Sequence, residues 1–250
     1  MKTTTSKDAI ITQKKEAIRY LNNTLEYYLS NQELKKVQLV SKWLIDFSNY
    51  VRFEKQFDPK RNLAYKRGDI VKVNFGFNVG SELGGVHYAI VIDNHNRHSS
   101  DTLVVVPLSS AKAEKSVYDR DLLIGSEFYS LMENRTSKLL DETVEAVRGM
   151  TEVIKVLEKH DVTDPDAKNL LRDFESKRQL CDKKIDFYKK CKAELSMMKE
   201  GSVVKIEQIR AVSKIRIWDP KKTQDVLAGI HLSDATMEKI NERIKELFIH

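Results

Sequence analysis

The sequence predicts an α+β fold, a compact strand-rich module interrupted by long helices. Three observations predict it. Residues 70–75, 88–92 and 102–106 are β-branched or apolar runs bounded by glycine and polar loops, the form of buried strands. Strand character returns far downstream, at 202–206 and 211–217. Before and between these runs, apolar residues recur every three or four positions, which is the helical period.

The bulk composition agrees. Of 250 residues, 41% are hydrophobic and 32% charged, enough for a core and for long solvated helices. Only 9 glycines and 4 prolines argue against a chain built wholly of strands and turns. A formal net charge of +6 makes an anionic partner plausible, nucleic acid first. No apolar run is long enough to span a bilayer, and Met1–Lys7 leads into no secretory core, so no membrane is expected. Cys181 and Cys191 fall ten residues apart on one predicted helix. That is about 15 Å, too far for a mutual disulfide. The expected setting is reducing and cytoplasmic.

In chain order, Ile11, Ile18, Leu21, Leu25 and Leu29 mark a first amphipathic helix. Ser30-Asn31-Gln32-Glu33 has the form of a capping box for a second, carrying Leu34, Val37, Leu44, Phe47 and Val51 inward. Asp58-Pro59 ends it. Three strands follow, and Asp121–Ile124 reads as a fourth, ended by Gly125-Ser126. Residues 126–200 then turn helical. Ala167, Leu171, Phe174, Arg178, Cys181, Ile185, Tyr188, Lys192 and Leu195 alternate steps of four and three, a heptad seam. Leu140, Val144, Val147, Thr151 and Ile154 carry a similar rhythm upstream. A break at Asp161–Asp166 folds the pair into an antiparallel coiled-coil hairpin of about 50 Å reach. After two further strands, Ser233 caps a last helix with Met237, Ile240, Ile244 and Leu247 on its core face.

Several short motifs lie along the strand-rich parts. They are Arg67-Gly68-Asp69, Val79-Gly80-Ser81-Glu82, Gly84-Gly85-Val86-His87 and Val106-Pro107-Leu108-Ser109-Ser110. Glu207-Gln208-Ile209-Arg210 and Leu232-Ser233-Asp234 complete the series. With 126–200 set aside, their order and gaps resemble the MazF/PemK family of type II toxins over nearly the whole remaining module. The resemblance implies a long form of that family: a small SH3-like β-barrel with an N-terminal helical pair and an inserted hairpin. The expected domains are 1–61, the N-terminal helices; 62–125, the first part of the barrel; 126–200, the hairpin; and 201–250, the second part with the C-terminal helix.

It also implies an endoribonuclease that cuts single-stranded RNA without a metal or other cofactor, leaving 2′,3′-cyclic phosphate and 5′-hydroxyl ends. A homodimer and a cognate antitoxin partner are implied as well. By position, the family's catalytic arginine falls on His87 and its catalytic threonine on Ser109. RNA contacts fall on Ser81, Glu82, Ser202 and Glu207. Arg210 and Arg216 are further candidates for phosphate, and Tyr65, Phe75 and Phe77 for base stacking, with Phe75 reading rather as core and Phe77 the best placed for exposure.

Histidine for arginine is the departure that matters. An imidazole stabilises negative charge when protonated, and it also moves a proton near neutral pH, which a guanidinium does not. His87, His95 and His98 match no metal-ligand spacing, and neither a phosphate-binding glycine loop nor a nucleophile elbow is present. Two rival readings stand beside the nuclease. One is a CcdB-like, gyrase-binding toxin acting through the apolar Leu247-Phe248-Ile249 end. The other is a scaffold acting through the hairpin.

Overall fold

The computed structural model describes residues 6–111, 118–158 and 165–249. The chain forms two compact units, Met1–Gln56 with Gly76–Gly85, and Phe57–Phe75 with Val86–His250.

In the first unit, α1 (Lys7–Ser30) and α2 (Leu34–Phe53) are joined by a short turn. Ser6 caps α1 through the amide of Ala9. The capping box expected at Ser30 does not form. Ser30 is the last residue of α1 and its hydroxyl turns back to the carbonyl of Glu26, while Glu33 sits at the start of α2 without a side-chain cap. The chain reverses through Gln32 at φ 59°, so Ser30 is spent closing one helix and cannot open the next. Neither helix has a fully buried residue. Leu34, Phe47 and Val51, expected to point inward, are largely exposed.

The same unit holds the loop 76–85, which closes on itself. The Gly85 amide donates to the Gly76 carbonyl at 2.5 Å, and the Asn78 side-chain amide to the Leu83 carbonyl at 2.7 Å. Gly76 has φ 82°, and a Cβ there would lie 2.7 Å from the Trp43 ring of α2. Gly76→Ala therefore combines a left-handed backbone with a steric clash, and is expected to cost about 2–4 kcal/mol locally. A shifted Trp43 emission and faster proteolysis between 76 and 85 would report it.

The second unit is built on one antiparallel sheet. Its strands are β1 (Ile70–Asn74), β2 (Val86–Val91), β3 (Thr102–Ser110), β4 (Leu122–Gly125), β5 (Ser202–Val204), β6 (Arg210–Ser213) and β7 (Ile217–Asp219). The order is β4-β5-β3-β2-β1-β7, with β6 also on β3. Among the described residues, nothing pairs β4 with β7, so the sheet is open where a closed barrel was expected. The single strand predicted at 211–217 is in fact two. β6 pairs with β3 and β7 with β1, and a 3₁₀ turn at Lys214–Arg216 carries the chain between them. Lys214 is fully buried there, its ammonium donating to the carbonyls of Arg97 and His98.

Arg67-Gly68-Asp69 proves to be a structural tie. The Arg67 guanidinium bonds the Ile92 carbonyl and the Asn241 side chain, and Asp69 pairs with His231 at 3.0 Å. Two main-chain bonds, Ile70 to Ile230 and Leu232 to Gly68, lock the segment before α5 (Asp234–Phe248) onto β1. Ser233 caps α5 through the Thr236 amide, as predicted. Met237 and Ile240 are buried, and Ile244 and Leu247 pack against the core. Ser233→Ala is expected to lower stability by about 1 kcal/mol, read as a small shift in the urea midpoint at constant slope.

The predicted helices of the 126–200 segment are α3 (Glu127–Leu157) and α4 (Pro165–Met197). The break expected at Asp161–Asp166 lies outside the described residues up to Asp164. The seam of α4 is partly as predicted, with Cys181 buried, Ile185, Tyr188 and Leu195 half-buried, and Arg178 and Lys192 exposed. The seam of α3 is shifted by one residue. Thr136, Thr143 and Val153 are buried and Leu139, Ala146, Met150 and Leu157 half-buried, whereas Leu140, Val144, Val147 and Ile154 are exposed. Adjacent apolar pairs such as Leu139-Leu140 and Val153-Ile154 gave two parallel stripes, and packing chose the less apolar one.

The base of this hairpin belongs to the core. Phe128, Met132 and Cys191 cluster with Ile70, Ile90, Val106 and Leu108 of the sheet and with Met237 and Ile240 of α5. Cys191 is thus a core residue. Both thiols are free and buried, and burial raises that of Cys191 above its usual value. A water-soluble disulfide reagent should find no reactive thiol in the native protein and two in denaturant.

Candidate active site

The long strand β3 changes partners along its length. It pairs with β6 over Thr102–Val105, with β2 over Val105–Pro107, and with β5 over Leu108–Ser110. The ladder with β2 ends at Ala89↔Pro107. Proline has no amide hydrogen to carry a ladder onward, so the strands are released from each other here. Past that point Val86–Tyr88 of β2 and Leu108–Ser110 of β3 form two sides of a cavity of about 150 Å³.

His87 and Ser109 both line this cavity, and Ser202 at the start of β5 joins them. Ser202 is buried and lies opposite Ser110 in the β3–β5 register. The two sequence fragments on either side of the hairpin therefore meet at one place. The remaining predicted residues lie elsewhere. Glu207 sits in a 3₁₀ turn, not on a strand, and pairs with Arg120 at 3.4 Å. Arg210 bonds the Gln208 side chain at 2.8 Å and lies over the Phe75 ring. The Arg216 guanidinium is held by the Asn74 carbonyl. None of these arginines or Glu207 lines the cavity.

Phe77, Ser81 and Glu82 belong to the closed loop of the first unit, and all three are exposed. Tyr65 is corrected from a stacking candidate to a core residue, 3% exposed, with its hydroxyl donating to the Pro220 carbonyl, and Phe75, read as a core residue, is 1% exposed. The imidazole of His98 is tied to the Asn62 carbonyl at 2.7 Å. Among the described residues, no group of three or more His, Cys, Asp or Glu side chains is placed to hold a metal.

The structure adds residues the sequence did not single out. Lys72 and Tyr88 face each other across β1 and β2 and both line the cavity. One oxygen of Glu194, near the end of α4, accepts from the Lys72 ammonium at 2.5 Å and from the Tyr88 hydroxyl. Burial first, and then that carboxylate, push the Tyr88 phenol far above its usual range, so it remains a hydrogen-bond donor. Polar residues in an otherwise apolar pair of strands were the available signal for Lys72 and Tyr88. Nothing local in the sequence marked Glu194, because its partners lie over a hundred positions upstream.

The cavity thus combines an imidazole, hydroxyls of two strands and the lysines Lys72 and Lys199, and no carboxylate is among its described lining residues. Such a donor set suits an anion carrying several oxygens, such as a phosphodiester. A small antiparallel-sheet module with a polar, lysine-bearing cleft is the class this defines. A family model described as PemK-like, MazF-like toxin of type II toxin–antitoxin system matches residues 66–169, and over that stretch the chain is similar to that family. The match takes in β1 to β4 and α3, while β5, β6, β7 and α5 lie beyond it. No curated protein matches the chain. No helix among the described residues is long and apolar enough to cross a membrane.

Proposed function

We propose that the chain is a toxin that cleaves single-stranded RNA at this cavity, without a metal ion, in the cytoplasm and under the control of a cognate antitoxin. The observation that carries the reading is the convergence of His87 and Ser109, within the family match, with Ser202 from beyond it on one cavity. A homodimer and the SH3-like form of the sheet go with the family reading.

In the proposed reaction the 2′-hydroxyl attacks the adjacent phosphorus as the P–O5′ bond breaks. His87 takes the proton of the 2′-hydroxyl and returns it to the leaving 5′-oxygen. The Ser109 hydroxyl donates to a non-bridging oxygen as negative charge builds there. The products are a 2′,3′-cyclic phosphate and a 5′-hydroxyl. Ser81, Glu82 and Phe77 in the first unit, and Glu207 and Arg210 in the second, are proposed as further RNA contacts.

The test is incubation of the purified protein with long single-stranded RNA in excess EDTA. Discrete fragments with cyclic-phosphate ends support the reading, and intact RNA defeats it. One observation favours a rival: Phe248 and Ile249, at the end of α5, are 52% and 62% exposed. Stalled gyrase–DNA complexes with uncut RNA in expressing cells would select the gyrase-binding alternative.

A further inference from the structure

We propose that the inserted hairpin is the base-selecting wall of the cavity, so that α4 and the segment after it set which RNA sequence is cut. The inference rests on the nuclease reading above, and deepens it.

The cavity's lining comes from two sources. The sheet gives the polar His87, Ser109, Ser202 and Lys72, beside the apolar Val86 and Leu108. The helices give Phe128 in the first turn of α3 and Met197 at the end of α4, and Met198 and Lys199 follow at once. The hairpin therefore supplies an aromatic ring, two thioethers and one ammonium to a site whose chemistry is carried by the strands. This division matches the two parts of a nucleotide. A phosphate belongs against hydroxyls, imidazole and lysine, and a base belongs against apolar and polarisable atoms.

Size and rigidity agree. A cavity of about 150 Å³ is large enough to hold one aromatic ring. Phe128 is held edge-on against Tyr88 at 4.9 Å, and Tyr88 is fixed by Glu194 of α4. One helix thus fixes the floor of the pocket and contributes its side. Met197, by contrast, is 69% exposed, so it can close on a base without disturbing the core. Lys199 is exposed at the same edge, where it can meet the phosphate of the nucleotide whose base is held.

The experiment compares wild-type protein with Met197→Ala, Met197→Leu and Lys199→Gln on a long RNA of mixed sequence, mapping every cut end. Both positions are exposed, and equal melting temperatures confirm that the variants fold. Met197→Ala should relax the preference at one nucleotide position by about tenfold while cutting continues, and Met197→Leu should largely keep it. Lys199→Gln should raise KM with little change in kcat, and reduce the salt dependence of binding by about one charge. Cut-site profiles and KM values identical to wild type in all three would overturn the proposal and leave the nuclease reading standing. Wild-type protein that cuts no RNA would overturn both.

Discussion

His87→Ala should lower the rate of RNA cleavage by about 10²–10⁴-fold, with KM nearly unchanged, as removal of a general acid–base group does. The expectation follows from where the imidazole stands. It lines a cavity that opens because Pro107 ends the β2–β3 ladder, and it shares that cavity with Ser109 and Ser202. His87→Arg separates its two proposed duties. Arginine keeps the positive charge but cannot take the proton, so that variant should retain more activity than alanine and lose the rate dependence near neutral pH. Quantified cyclic-phosphate ends between pH 5 and 9 would check both. Equal activity in wild type and His87→Ala would remove the imidazole from the mechanism.

Phe128→Ala should destabilise the second unit by about 3–5 kcal/mol, a large fraction of the 5–15 kcal/mol of an ordinary domain. The ring is 1% exposed, belongs to the main core cluster and packs edge-on to Tyr88. Its loss removes both buried area and an aromatic pair, and leaves a void beside the candidate active site. A urea titration following far-UV signal would read the loss as a lower midpoint. By the same reasoning, excision of 126–200 takes Phe128, Met132 and Cys191 out of the core together and should leave no cooperatively folded protein. Shortening the hairpin beyond the Glu142–Lys184 ion pair leaves those three in place and should be tolerated. A midpoint unchanged by Phe128→Ala would mean that the hairpin base contributes nothing to the core.

Where sequence reading failed, it failed at choices between near-equal local options. The α3 stripe through Leu140, Val144, Val147 and Ile154 is more apolar than the one through Thr143 and Ala146, yet the second is packed. Helical spacing cannot tell which of two adjacent stripes meets a partner. Ser30 had the right neighbours for a capping box, but the reversal at Gln32 placed it at the end of α1. The run 211–217 looked like one strand because its residues all favour extended backbone. It is broken at Lys214 because its two halves serve different neighbours. Glu207 and Arg210 had the right types for a site, and their position in and after a 3₁₀ turn takes them away from the cavity.

The sequence alone determined the identity and order of most strands and helices, the α5 cap at Ser233 and the family resemblance, because these rest on periodicity and short-range chemistry written within a few residues. The resemblance also named His87, Ser109 and Ser202, and with it the expectation that the two fragments close on one pocket. Only the tertiary structure decided that the sheet stays open, that the hairpin base is core, and that Lys72, Tyr88, Glu194 and Lys199 gather around one cavity. Those outcomes depend on contacts between residues as far apart as Tyr88 and Glu194. Such contacts are set by packing and burial across the whole unit, and no local pattern encodes them.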